Sequence, residues 1–221
     1  MNNFSGKHIK AVFFDHDDTL VGTIRPKWKH HKYVAIRYYG KNLTDEEITK
    51  HWGKPLQELV CLLYGTPDIE TAMARNTAHH EEFPKELFTA TIPTLQHIKS
   101  TGLRTGIITA TSRFSFEHDL QLHKVPQEIL DYTQTADDTE FHKPDPRVFD
   151  PSISWLQERQ IQPHEVVYVG DGLHDMKAAK GAGFNFIGVE TGLVTAEQFK
   201  KAKAVSISSI AKLSHHFTSS I

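Results

Sequence analysis

A short, unbroken apolar run is a strand that must be covered on both faces. This chain repeats such a run. Residues 9–14 are almost wholly apolar and stop abruptly at Asp15, and similar runs follow at 103–108, 166–169, 184–189 and, more weakly, 204–207. Helical spacing fills the intervals. Leu95 and Ile98 precede Gly102, which suits the left-handed position that ends a helix. Val148, Ile153 and Leu156 precede the third run, and residues 176–182 precede the fourth, with Gly181 and Gly183 near the helix end. Residues 129–133 add a short edge-like segment. Strands alternating with helices imply parallel pairing through helical crossovers, so the expected fold is α/β, a doubly wound parallel sheet.

Between the first and second runs the pattern changes. Thr44-Asp45-Glu46-Glu47 reads as a capping box, with Leu43 and Ile48 placed as a hydrophobic staple around it. That helix should stop near Gly53-Lys54-Pro55. A second shows Leu56, Leu59, Val60 and Leu63 on one face before Gly65, and Thr66-Pro67-Asp68 offers an N-cap, a proline at N1 and a first-turn acid for a third. A structureless loop of this length would be anomalous, so the expected organisation is an α/β core from residues 1–24 and 92–221 with an inserted α-helical domain at 25–91. Ser206, Ser208 and Ser209 suit a strand-to-helix turn with a cap.

Composition narrows the class. With 25 Lys+Arg against 27 Asp+Glu among 221 residues, the net charge of −2 provides no basic field for nucleic acid or anionic lipid. No run approaches the length of a membrane span, the first apolar run is too short for a secretory signal, and the lone Cys61 has no disulfide partner. A cytoplasmic protein acting on a small molecule is expected, with no nucleic acid or membrane partner; its oligomeric state is not legible. Cys61, beside Val60, Leu62 and Leu63, reads as a buried thiol. Fifteen histidines include the pairs His30-His31, His79-His80 and His215-His216. Neighbouring residues point to different sides of a helix or strand, so these pairs read as surface residues and not as metal ligands.

Ligands of an open α/β sheet sit beyond the carboxyl ends of its strands. The first run is followed there by Asp15-His16-Asp17-Asp18-Thr19, the second by Thr109-Ala110-Thr111-Ser112 and the third by Gly170-Asp171-Gly172-Leu173-His174-Asp175; His142-Lys143-Pro144-Asp145 precedes a helix near residue 146. Converging there, Asp15, Asp17, Asp171 and Asp175 would repel one another without a counter-charge. Mg2+ is the natural neutraliser, since it binds a few carboxylates together with water and phosphate oxygens. With Lys143 and the hydroxyl and backbone donors at Thr109 and Ala110, such a site could hold a phosphoryl group. Asp15, first past its strand, is placed to attack phosphorus, and Asp17 to protonate the leaving oxygen and then activate water. Asp171 would complete the metal shell, and Asp175 would hold metal waters or Lys143.

Val12-Phe13-Phe14-Asp15-His16-Asp17-Asp18-Thr19 resembles the first motif of the haloacid dehalogenase-like superfamily of phosphotransferases. Ile107-Ile108-Thr109 fits its second motif, Lys143 its third, and Gly170-Asp171 through Asp175 its fourth, in the expected order. The inserted block resembles the helical C1 cap of the phosphoglycolate phosphatase/β-phosphoglucomutase-like subfamily. The resemblance implies a Rossmann-like core, Mg2+, a phosphoaspartate at Asp15, metal contact through the Asp17 carbonyl, and a cap that closes over the site. It also places Trp52, Gly53 and Lys54 in the cap loop that meets substrate, with Lys54 a candidate for an anionic group. Asp18 stands where relatives usually carry glycine. Asp17 argues against a dehalogenase or a phosphonoacetaldehyde hydrolase. The expected activity is therefore Mg2+-dependent hydrolysis of a small phosphomonoester such as phosphoglycolate or a sugar phosphate. Two alternatives stay open: a phosphomutase, which returns the phosphoryl group to its sugar, and a catalytically silent phosphate-binding regulator.

Overall fold

The computed structural model describes residues 8–215 and 217. Its strands are β1 (Ala11–Phe14), β2 (Val21–Gly22), β3 (Glu86–Leu87), β4 (Arg104–Ile108), β5 (Tyr132–Gln134), β6 (Val166–Gly170), β7 (Asn185–Val189) and β8 (Val205–Ile207). Six of them form one sheet in the order β5-β4-β1-β6-β7-β8, and all its pairings are parallel. β2 and β3 form a separate two-stranded sheet. The helices are α1 (Ile24–Tyr39), α2 (Asp45–His51), α3 (Leu56–Tyr64), α4 (Ile69–Thr77), α5 (Thr91–Ser100), α6 (Arg113–Leu122), α7 (Asp150–Gln157), α8 (Leu173–Gly181) and α9 (Ala196–Lys201). The chain divides into two compact units, one of Met1–Gly22 with Leu87–Ile221 and the other of Thr23–Glu86.

In the α/β unit, β1 is buried along its whole length, which explains its lack of polar side chains. Its residues alternate between two cores. Val12 and Phe14 pack with Leu95 and Ile98 of α5 and Phe116 and Leu120 of α6. Ala11 and Phe13 pack with Leu156 of α7, Met176, Ala178 and Ala179 of α8, and Phe199 of α9. The register puts Phe14 level with Ile107 of β4 and Val169 of β6, so the residues that follow these three strands emerge side by side. The edge strand comes later than expected: residues 127–129 form a 3-10 turn and β5 begins at Tyr132. The helix expected near residue 146 likewise opens as a 3-10 turn, Pro146–Phe149, before α7.

The helical unit has its own core, built on Val34 and Ala35 of α1, Ile48 of α2, Leu59, Val60, Leu63 and Tyr64 of α3, and Ala72 of α4. The capping box at α2 is present: Thr44 N donates to Glu47 Oε2 at 2.8 Å, and Glu47 N donates to Thr44 Oγ1 at 3.2 Å. At α4 the expectation is corrected. Asp68, not Thr66, is the N-cap, its Oδ1 accepting from Thr71 N at 3.0 Å. The carboxylate is the stronger acceptor facing the positive end of the helix.

Two other surface and core assignments are also corrected. His30 and His31 are buried in the middle of α1, not exposed. The buried residues of α1 are Pro26, His30, His31, Val34 and Ala35, a helical stripe wide enough to take adjacent positions. His30 Nε2 lies 3.0 Å from the Asn76 carbonyl, and His31 Nδ1 lies 3.0 Å from Tyr64 Oη. His79 is half-buried and His80 exposed, while His216 and the side chain of His215 lie outside the described residues. Cys61 is half-buried rather than buried, on the rim of the α3 face. Among the described residues no helix is long and apolar enough to cross a membrane.

Candidate active site

Asp15 is the first residue past β1, and its N–H extends the ladder by donating to the Val169 carbonyl at 2.8 Å. The chain then turns back tightly. The His16 carbonyl accepts from Leu20 N at 2.9 Å and Val21 N at 3.2 Å, and Asp18 N donates to the Val21 carbonyl at 2.7 Å. Asp18 adopts the left-handed conformation, with φ of 53°. The side chain of His16 turns inward, edge-on to Phe116, with Nε2 3.1 Å from Asp119 Oδ2 of α6.

Lys143 sits among these groups. Its Nζ donates to Asp15 Oδ1 at 2.7 Å and to the Ile108 carbonyl at 3.3 Å, and lies 2.8 Å from Asp175 Oδ1. The ring of Tyr168 lies 5.0 Å from the ammonium, and Tyr168 Oη donates to the same Ile108 carbonyl at 2.8 Å. Asp175, in the first turn of α8, is fully buried, and its Oδ2 accepts from Gly172 N at 2.9 Å. Gly170 lets it approach: a methyl group there would stand 2.6 Å from Asp175 Cγ.

One carboxylate oxygen each from Asp15, Asp171 and Asp175 lies within 4.8 Å of the others. Burial raises the pKa of Asp15, and the charges of Asp175 and Asp17 add to the rise, against the pull of Lys143. Burial, Asp175, Asp15 and Asp18 together push Asp171 up to about 9. Burial alone would discharge Lys143, but Asp15 and Asp175 outweigh it and hold the ammonium well above its usual range. Three carboxylates thus share one cation. Three carboxylate oxygens gathered around a single ammonium fit a hard divalent cation, for which Asp15 and Asp171 stand past neighbouring strand ends.

The structure therefore brings Asp15, Lys143, Asp171 and Asp175 together. The Asp17 carboxylate lies outside that trio and accepts from Thr111 Oγ1 at 2.6 Å. Thr109 is buried just past β4, its N–H donating to the Gln134 carbonyl and its Oγ1 accepting from Thr111 N at 3.0 Å; Ala110 beside it is exposed. Lys54 belongs to the helical unit, where it pairs with Glu58 one turn along. Trp52 of that unit is half-buried and packs edge-on to Trp28.

Sequence reasoning missed four residues here. Thr111 stands in the segment after the second run, where only Thr109 and Ala110 are read as phosphate donors. Tyr168 was counted as apolar, although a phenol in a strand buried on both faces needs an acceptor. Thr191 and Gly192 follow the fourth run as Asp171 follows the third, and the same rule of reading beyond strand ends would have found them.

Residues 12–189 match the haloacid dehalogenase-like hydrolase family. A protein of Anoxybacillus flavithermus named pyrophosphatase PpaX is 31% identical over 187 residues, 82% of this chain and 84% of its own length. A Bacteroides fragilis structure described as a haloacid dehalogenase-like hydrolase superposes with a TM-score of 0.77 at 31% identity, covering 93% of this chain and 99% of that one. A Thermotoga maritima structure described as a beta-phosphoglucomutase gives a TM-score of 0.79 at 22% identity, covering 94% and 97%.

Proposed function

Since the chain belongs to the haloacid dehalogenase-like hydrolase family, we propose that it is a Mg2+-dependent phosphatase that hydrolyses a small phosphomonoester through an aspartyl-phosphate on Asp15. The observation that carries this reading is the Lys143 ammonium 2.7 Å from Asp15, inside a buried group of three carboxylates. Bound by Asp15 and Asp171, Mg2+ would offset their charge and polarise the phosphoryl oxygens.

Asp15 attacks phosphorus and forms a P–O bond as the bond to the leaving oxygen breaks. Asp17 supplies the proton that leaves with that oxygen. Its hydrogen bond from Thr111 supports the role by fixing the carboxyl group beside the site. In the second half, Asp17 takes a proton from the water that attacks phosphorus. The bond from phosphorus to Asp15 breaks, and inorganic phosphate departs. Lys143 steadies the charge on Asp15 throughout, and Asp175 steadies Lys143. The Thr109 hydroxyl, which accepts from Thr111 N, keeps its own O–H to donate to the phosphoryl group, with the Ala110 N–H beside it. The helical unit is proposed as the cap that chooses the substrate, with Lys54 a contact for its anionic end.

The test is phosphate release from a panel of sugar phosphates, phosphoglycolate and nucleotides, with Mg2+ and with EDTA. Pyrophosphate joins the panel because of the relative named for that activity. Release should require Mg2+, and Asp15→Asn should lower it by at least about a thousandfold. Undiminished release by that variant would refute the reading. An isomerised sugar phosphate without free phosphate would replace it with a mutase.

A further inference from the structure

The loop after β7 meets the candidate site from a side that the acid and lysine motifs do not include. Thr191 Oγ1 donates to the Asp18 carbonyl at 2.5 Å, joining that loop to the tight turn that begins at Asp15. At Gly192 the contact is one of space. A methyl group there would stand 1.8 Å from Asp171 Oδ2, 2.6 Å from Cγ and 2.9 Å from Cβ. The backbone of Gly192 is not among the left-handed glycines, so conformation does not demand glycine at this position. The Asp171 carboxylate does, because it occupies the volume that any side chain would fill.

We propose that Thr191 and Gly192 are positioning residues for the cation site. Gly192 leaves the room in which the Asp171 carboxylate stands, and Thr191 ties the Asp15 turn to the same loop. Asp15 and Asp171 leave neighbouring strands, β1 and β6, and β7 lies next to β6. One dipeptide therefore registers both carboxylates against a third strand. The inference rests on the reading that Asp15 and Asp171 hold a divalent cation. Mg2+ demands near-ideal octahedral placement of its ligands, so an alanine at 192 that rotates Asp171 aside costs affinity even where the fold is unchanged. Loss of an outer contact that orients a ligand lowers metal affinity about 10–100-fold in general.

The experiment follows the melting temperature of the full chain against added MgCl2 without substrate, with NaCl of equal ionic strength as control. Wild-type protein should be stabilised as the site fills. Gly192→Ala should melt within about 2 °C of wild type in the absence of Mg2+, but need at least about tenfold more Mg2+ for half of the rise. Thr191→Val should need about three- to tenfold more, and Thr191→Ser, which keeps the hydroxyl, should return to the wild-type concentration. A folded Gly192→Ala protein with wild-type Mg2+ dependence overturns the proposal. If that variant does not fold, the Thr191 pair decides, and a serine as impaired as valine overturns it. Wild-type melting indifferent to Mg2+ would instead refute the cation site itself, and the inference with it.

Discussion

Both units bury polar groups, and they do so to opposite effect. In the helical unit, burial pulls the pKa of His30 down to about 4 and that of His31 to about 3, so both rings are neutral near pH 7. Their partners close the account locally: Asn76 Nδ2 donates to Tyr64 Oη at 2.7 Å, and Tyr64 Oη in turn lies 3.0 Å from His31. In the α/β unit, Asp15, Asp171 and Asp175 are gathered around Lys143, which pairs with Asp15 and Asp175 but brings only one positive charge. One ammonium faces three carboxylates. A buried cluster whose members satisfy one another is architecture. A buried cluster with more acids than its one ammonium can match is prepared for something from outside.

Removing the ammonium breaks this comparison most severely. Lys143→Met leaves Asp15 and Asp175 buried without their counter-charge, a change that costs about 3–5 kcal/mol when one partner of a buried pair is lost. Urea unfolding in EDTA at pH 8 measures it. The loss should shrink as the pH is lowered toward 5. Asp15 and Asp171 have raised pKa values when folded, so the folded state takes up protons that the unfolded chain takes up only nearer pH 4. Turnover should fall at least about a thousandfold. A Met variant as stable as wild type at pH 8 would mean that the carboxylates are not paying for their crowding.

The difference between the units also governs what could be read from sequence. The sheet was legible because strands covered on both faces admit few polar residues, and because ligand groups gather past their ends. Asp15, Asp171 and Asp175 follow from that rule, Lys143 from its place before a helix, and the four do converge. The cap of α4 and the interior of α1 were not legible. Asp68 and Thr66 are both good caps two residues apart, and only the path of the chain chooses between them. His30 and His31 look like surface residues until Tyr64 and Asn76, more than thirty residues away, supply their partners. Gly192 stands past a strand end, where that rule points, but the need for glycine there was not legible, because it comes from the Asp171 side chain past the end of another strand.

Acid should separate the units next. Both histidines have folded pKa values below the usual 6.5, so the unfolded chain binds more protons than the folded one as the pH falls. Stability is complete above about pH 6.5 and is lost progressively toward pH 4 and then 3. Lys27, His79 and His80 beside His30, and His30 and Lys27 beside His31, push in the same direction. Hydrogen exchange compared at pH 7 and pH 4.5, corrected for intrinsic rates, should show α1, α3 and α4 losing protection before β1, β4 and β6. Equal loss in both units, or earlier loss in the sheet, would contradict this. His31→Gln should flatten the acid limb.

The smallest effect concerns Asp18, where a side chain is held left-handed within the turn that carries Asp15 and Asp17. The other described non-glycine residues with positive φ are Lys124, Gln160 and Lys203, outside that turn. A left-handed conformation costs a residue with a Cβ about 1–2 kcal/mol relative to glycine. Two backbone contacts hold Asp18 in place, its N–H to the Val21 carbonyl and its carbonyl to Thr191 Oγ1, and both survive replacement by glycine. The substitution also removes one of the charges that raise Asp171. Asp18→Gly should therefore stabilise the metal-free protein by about 1 kcal/mol, which for a chain of this size is a rise of about 2–4 °C in melting temperature. The gain should be smaller when Mg2+ is present, because the cation already offsets the charge that Asp18 contributes. A lower melting temperature without Mg2+ would show that the Asp18 carboxylate stabilises the turn by more than its backbone conformation costs.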